Sequence, residues 1–141
     1  MTIQRIGKAL QPGAIRLFCL PPAGAGASLY FQIMSLDSPA INICPIALPG
    51  REARLSEPLP DSIPSLAEQL AHELKEYSEE PYAIFGYSMG GLLGYEMIQR
   101  WKAWGRPGPM AFFPLAARPP HQSFKRQLHN LEPESCKQEH L

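Results

Sequence analysis

The sequence predicts an α/β fold of three layers, a mostly parallel sheet with helices on both faces. Three observations lead there. Short apolar runs of strand length alternate with stretches of helical spacing, the pattern that parallel strands and their crossover helices require. A run of small residues follows the first strong apolar run. Finally, a glycine-flanked serine stands between an apolar run and a helical stretch, at Pro81 to Trp104 of the 141-residue chain.

In chain order, residues 1–13 are weakly patterned and close on the turn signal Gln11-Pro12-Gly13. Residues 15–20 read as the first buried strand. It runs into Pro21-Pro22-Ala23-Gly24-Ala25-Gly26-Ala27, and a short helical segment is expected around residues 28–34. A loop so poor in side chains lets a ligand atom approach the backbone. The rival reading is a nucleotide or phosphate cradle, since Gly24-Ala25-Gly26 begins a G-x-G-x-x-G. However, the sixth position is Leu29, the next strand ends in Ala47-Leu48-Pro49 rather than an acidic residue, and no lysine of Walker type is present.

Residues 41–48 read as a second strand, followed by Pro49-Gly50-Arg51-Glu52, where Arg51, Glu52 and Arg54 are expected in a solvated turn with an ion pair. Ser65-Leu66-Ala67-Glu68 has the form of a capping box, and Leu66, Leu70, Leu74 and Tyr77 form the apolar stripe of the helix behind it. His72 falls on the opposite face and is expected to be exposed.

Tyr82-Ala83-Ile84-Phe85 is a strand, Gly86-Tyr87-Ser88-Met89-Gly90 a turn, and from Gly91 the apolar residues Leu93, Met97, Ile98 and Trp101 recur at helical spacing. Strand, G-x-S-x-G and helix in that order are the setting of the nucleophile elbow of an α/β-hydrolase. A serine at the apex of so tight a turn has a strained backbone, and Gly86 and Gly90 avoid the collisions that side chains would cause. Ser88 is then expected to project above the sheet edge at the positive end of the helix, with the N–H of Met89 as one oxyanion donor and that of Ala23 as the second. Residues 110–116 are a further apolar run in which Pro114 is awkward for a central strand. From Arg118 the chain turns polar, and Phe124, Leu128 and Leu131 offer at most two turns of amphipathic helix.

Composition narrows the function. Lys plus Arg and Asp plus Glu both number 13, which points to neither nucleic acid nor an anionic membrane. The apolar run near the N-terminus is broken by Arg16 and lacks a cleavage site, and no segment reaches membrane-span length. Cys19, Cys44 and Cys136 show no metal-ligand spacing and read as free thiols in a reducing cytoplasm. No metal or cofactor is expected.

With Leu17-Phe18-Cys19-Leu20-Pro21-Pro22-Ala23-Gly24, Leu48-Pro49-Gly50-Arg51-Glu52 and Phe85-Gly86-Tyr87-Ser88-Met89-Gly90-Gly91 in this order, the chain resembles type II thioesterases over residues 15–120. These are the stand-alone α/β-hydrolases that accompany non-ribosomal peptide and polyketide synthases. The resemblance implies hydrolysis of acyl groups from the phosphopantetheine thiol of a carrier protein, or from acyl-CoA, through an acyl-Ser88. It implies a carrier protein or synthase as partner. Ala117 to His121 looks like the family's lead into its lid.

The family's aspartate after a later strand and its C-terminal histidine have no recognisable counterpart. Asp37 and Asp61 both precede Ser88, and His121, His129 and His140 lie in or beside the polar tail. The expectation is a single, partial α/β-hydrolase domain over 1–141, the N-terminal portion of the fold, with 118–141 as a tail. Loss of the histidine lowers turnover in a serine hydrolase by about a million-fold, so weak activity is expected unless a tail histidine substitutes. The alternative is an inactive fragment that binds acyl groups or the carrier protein.

Overall fold

The computed structural model describes residues 2–5 and 9–115. Strands β1 (Ile15–Leu20), β2 (Ile41–Pro45), β3 (Tyr82–Tyr87) and β4 (Ala111–Leu115) form a four-stranded sheet in the order β2-β1-β3-β4. All three pairings are parallel, with Phe18 opposite both Cys44 and Ile84, and Ile84 opposite Phe112. The carboxyl ends of all four strands therefore open on one edge of the sheet, where open α/β sheets bind ligands.

Alternate side chains of each strand serve opposite faces. On one face Phe18, Leu20 and Ile84 pack with Leu66 and Leu70 of α1 (Ile63–Glu73) and with Leu93, Met97 and Trp101 of α2 (Met89–Ala103). The buried Trp101 ring lies 5.2 Å from that of Tyr82, and its Nε1 donates to the carbonyl of Ala71 at 3.0 Å, which ties α2 to α1. On the other face Cys19 and Ile43 meet Tyr30 and Met34 of a 3-10 helix, Ala27–Leu36. Helical layers on both faces agree with the expectation from the sequence.

Several local expectations are corrected. The strand expected over 41–48 ends at Pro45, and Ile46 instead forms an isolated antiparallel bridge with Ile3. Residues 2–4, which carry no strand pattern, thus cover that side: the N–H of Ala47 donates to Thr2 and that of Gln4 to Pro45. A single bridge leaves too short a periodic signal to read.

Helix α1 begins two residues before the supposed capping box. Its N-cap is Ser62, whose Oγ accepts from the N–H of Ser65 at 3.2 Å, with proline in the first turn. Glu68, well inside the helix, binds His72 and Arg100 instead. The stripe itself is as expected, with Leu66, Leu70 and Leu74 buried and Tyr77 partly so, and His72 is exposed and stacked on Trp104.

Arg54 is no part of a solvated turn. It is 5% exposed and bonds Glu57, Glu73 and the carbonyl of Ala47. Its hydrogen bonds to Glu57 raise the guanidinium pKa further, and the ion pair satisfies a charge that burial would otherwise penalise. Pro114 lies on β4, an edge strand of the sheet among the described residues, where a missing N–H can face away from the neighbouring strand. Cys19 and Cys44 are buried free thiols, and burial pushes both up to about 12. Cys136, the three tail histidines, the amphipathic stretch and the lid-like run beginning at Ala117 lie outside the described residues.

Candidate active site

The site is built at the crossing of β1, β3 and α2. Ser88 links β3 to α2 with φ 55° and ψ −115°, a backbone state that L-residues rarely adopt. Gly86 and Gly90 make the turn possible. A Cβ on Gly86 would stand 2.3 Å from the carbonyl oxygen of Gly90, and one on Gly90 would stand 2.3 Å from that of Leu20. The second contact also locates the elbow. It is pressed backbone to backbone on the end of β1, where the small-residue loop starts.

That start is fixed from the other side by Tyr30, whose Oη donates to the Leu20 carbonyl at 2.5 Å. Burial pushes the Tyr30 hydroxyl pKa up, which keeps it a neutral donor. The N–H of Ser88 donates to the carbonyl of Leu115 at 2.9 Å, so β4 also holds the apex.

The serine side chain does not bond the amides of the helix it begins, which an ordinary N-cap serine does. Ser88 is more enclosed than an apex standing above the sheet implies, at 6% exposure. Ser88 stands at the positive end of a helix of 15 residues; the N–H of Gly91 donates to the Ser88 carbonyl at 2.9 Å, whereas that of Met89, at the first helical position, has no carbonyl of the helix to bond.

Beside the apex is a cleft of about 350 Å³. Ala23, Gly24 and Met89 all line it; Ser88 is not among its lining residues. Leu48, Leu59, Ile63 and Leu66 supply an apolar wall, and Arg51 and Asp61 bring charge to it. The sequence reading missed this wall. A Pro58-Leu59-Pro60-Asp61-Ser62 segment just ahead of the true N-cap was the available signal, obscured by placing the cap at Ser65.

Among the described residues no cluster of three His, Cys, Asp or Glu side chains could hold a metal ion, and no helix is long and apolar enough to cross a membrane. The one described histidine, His72, is occupied with Glu68 and Trp104 on the surface of α1. Asp37 is held by Arg5 at 2.9 Å.

Comparison with known proteins agrees with this architecture. The gramicidin S biosynthesis protein GrsT of Aneurinibacillus migulanus is 31% identical over 120 residues, 85% of this chain and 47% of that protein. The solved thioesterase RedJ, from the prodiginine pathway of Streptomyces coelicolor, superposes with a TM-score of 0.72 at 33% identity, covering 84% of this chain and 52% of that one. The type II thioesterase BorB of the borrelidin cluster gives 0.74 at 31% identity, covering 82% and 46%. This chain therefore spans about half the length of these relatives. Its residues 15–140 match the thioesterase-domain family, and with the strained serine turn and the parallel sheet that carries it, the chain belongs to that family.

Proposed function

We propose that the chain carries the nucleophile and oxyanion hole of a serine thioesterase that hydrolyses acyl groups from the phosphopantetheine arm of a carrier protein or from a small acyl thioester. The observation that carries this reading is the Ser88 turn, strained between Gly86 and Gly90 and seated against the loop of Ala23. Its relatives include proteins named for gramicidin S biosynthesis and for fatty acid synthase thioesterases.

In this mechanism Ser88 Oγ attacks the thioester carbonyl carbon while the proton passes to a base. The carbonyl oxygen becomes an oxyanion held by the N–H groups of Met89 and Ala23, an arrangement that favours the transition state over the ground state. The C–S bond breaks and the thiol leaves with a proton. Thiols have a pKa of about 8.5, so the leaving group needs less help than the nucleophile. Water then attacks the acyl-serine, releasing the carboxylic acid and restoring Ser88. The tail histidines His121, His129 and His140 are the candidates for the base. A cytoplasmic setting fits the buried thiols of Cys19 and Cys44.

The test is labelling by a fluorophosphonate together with hydrolysis of an acyl-pantetheine, each compared with Ser88→Ala. Equal signals from the two proteins would remove Ser88 from the mechanism. A second reading, an inactive fragment that binds acyl groups or a carrier protein, is favoured by the lack of a suitably placed histidine among the described residues. Turnover of about 1 s⁻¹ or faster, within the ordinary enzyme range, would end that reading.

A further inference from the structure

Among the described residues only two that are not glycine adopt a positive φ, Ser88 and Glu52 at 43°. Both follow strands whose carboxyl ends open on the same sheet edge. Strained backbone persists where its surroundings enforce it, and functional sites collect it. What Glu52 gains is visible in its contacts. Its Oε1 accepts from the N–H of Ser28 at 3.0 Å, and its Oε2 accepts from the Ser28 hydroxyl. The carboxylate thereby holds the first turn of the 3-10 helix Ala27–Leu36, whose N-cap Gly26 has no side chain to do so.

The space beside Gly26 is filled by the same carboxylate. A Cβ there would lie 2.5 Å from Glu52 Oε1. Since Gly26 has an ordinary extended backbone, at φ −132° and ψ −169°, its lack of a side chain serves the carboxylate and not the chain direction. The loop of residues 21–26 is thus clamped at both ends, by Tyr30 on the Leu20 carbonyl and by Glu52 beyond Gly26. Ala23 lies between the clamps. The hydrogen bonds from Ser28 also hold the Glu52 carboxyl below the usual carboxylate range, so it stays ionised and acceptor-only near neutral pH.

We propose that Glu52 is a positioning residue for the oxyanion hole: bound to Ser28 across Gly26, it sets the loop that presents the Ala23 N–H to the substrate carbonyl. This role rests on the reading of Ser88 and Ala23 given above. It separates Glu52 from its neighbour Arg51, which lines the cleft and would affect binding.

The experiment measures the maximal rate and the half-saturating concentration of fluorophosphonate labelling for the full chain and for Glu52→Ala, Glu52→Gln and Gly26→Ala. Loss of one oxyanion donor lowers turnover by on the order of a hundredfold or more. A loosened donor is expected to lower the maximal labelling rate about tenfold, with half-saturation changed less than about twofold. Glu52→Gln keeps an acceptor for Ser28 and is expected to recover most of the rate. Gly26→Ala keeps Glu52 but displaces its carboxylate, so it should resemble Glu52→Ala. Amide hydrogen exchange over residues 21–28 should rise in both of those variants. Unchanged exchange there, or an unchanged maximal rate in Glu52→Ala while Ser88→Ala abolishes labelling, overturns the proposal. Labelling that is the same in the parent chain and Ser88→Ala instead overturns the reading of Ser88, and the role of Glu52 with it.

Discussion

Both α-helices among the described residues begin on a serine, and the two serines serve opposite ends. Ser62 opens α1 from an extended backbone, φ −147° and ψ 156°, and spends its hydroxyl on the N–H of Ser65. Such a cap is worth about 1 kcal/mol. Ser88 opens α2 from a strained backbone and makes no such cap bond. Strain of this kind costs about 1–3 kcal/mol. The same residue at the same local position is thus structural where the backbone is relaxed, and a reactive-site candidate where packing enforces strain. A serine before a helix does not by itself separate the two cases. The glycines two residues either side of Ser88 do.

The contrast can be broken or sharpened experimentally. The largest expected effect is on chemistry: Ser88→Ala should remove nearly all fluorophosphonate labelling, a loss of about a thousandfold or more. Ser62 also borders the cleft, so Ser62→Ala should act on the half-saturating concentration of the probe and leave the maximal labelling rate within about twofold. Equal losses from the two would erase the distinction. Next comes the packing that enforces the strain. Gly86→Ala and Gly90→Ala each place a methyl group 2.3 Å from a backbone oxygen, and backbone cannot step aside as a side chain can. Each is expected to cost about 3 kcal/mol or more, read from urea midpoints.

Glycine substitution then separates strain from capping. Ser88→Gly should stabilise the fold by about 1 kcal/mol, because glycine takes a positive φ without penalty. Ser62→Gly should instead be neutral or lose a few tenths of a kcal/mol. A Ser88→Gly variant no more stable than the parent would mean that the turn is not strained.

The smallest effect concerns acid, and it belongs to the far end of α1. Burial pushes the Glu73 carboxyl up, but hydrogen bonds from Arg54, Gln69 and Thr2 more than offset this and hold its pKa below 4.5. The sign follows from linkage: a depressed folded-state pKa contributes stability above the unfolded value that is lost as pH falls through the folded one. The urea midpoint should therefore decline below about pH 4.5, the unperturbed value. In Glu73→Gln that decline should be shallower; an identical pH profile would place the acid sensitivity elsewhere.

Much of the molecule was legible because the signals are local. The strand preceding Ser88, the paired glycines and the apolar spacing of Leu93, Met97 and Trp101 lie within a couple of dozen residues. Each is imposed by sterics or periodicity acting over that distance. Less legible were features whose partners lie far along the chain. Arg54 looked like a solvated charge because Glu73 and the Ala47 carbonyl arrive from separate elements. Ile3 had no pattern of its own because its partner is Ile46.

What the sequence determined by itself is the turn at Ser88 and the class of fold around it, since backbone sterics at Gly86 and Gly90 act wherever those residues occur. Tertiary structure alone decided which loops face that turn. The cleft brings together Ala23, Arg51, Asp61 and Met89, spread over more than half of the described chain. Glu52 meets Ser28 only because parallel pairing sets the carboxyl ends of β1 and β2 side by side. Register between distant strands is a property of the whole sheet, and no single stretch of residues encodes it.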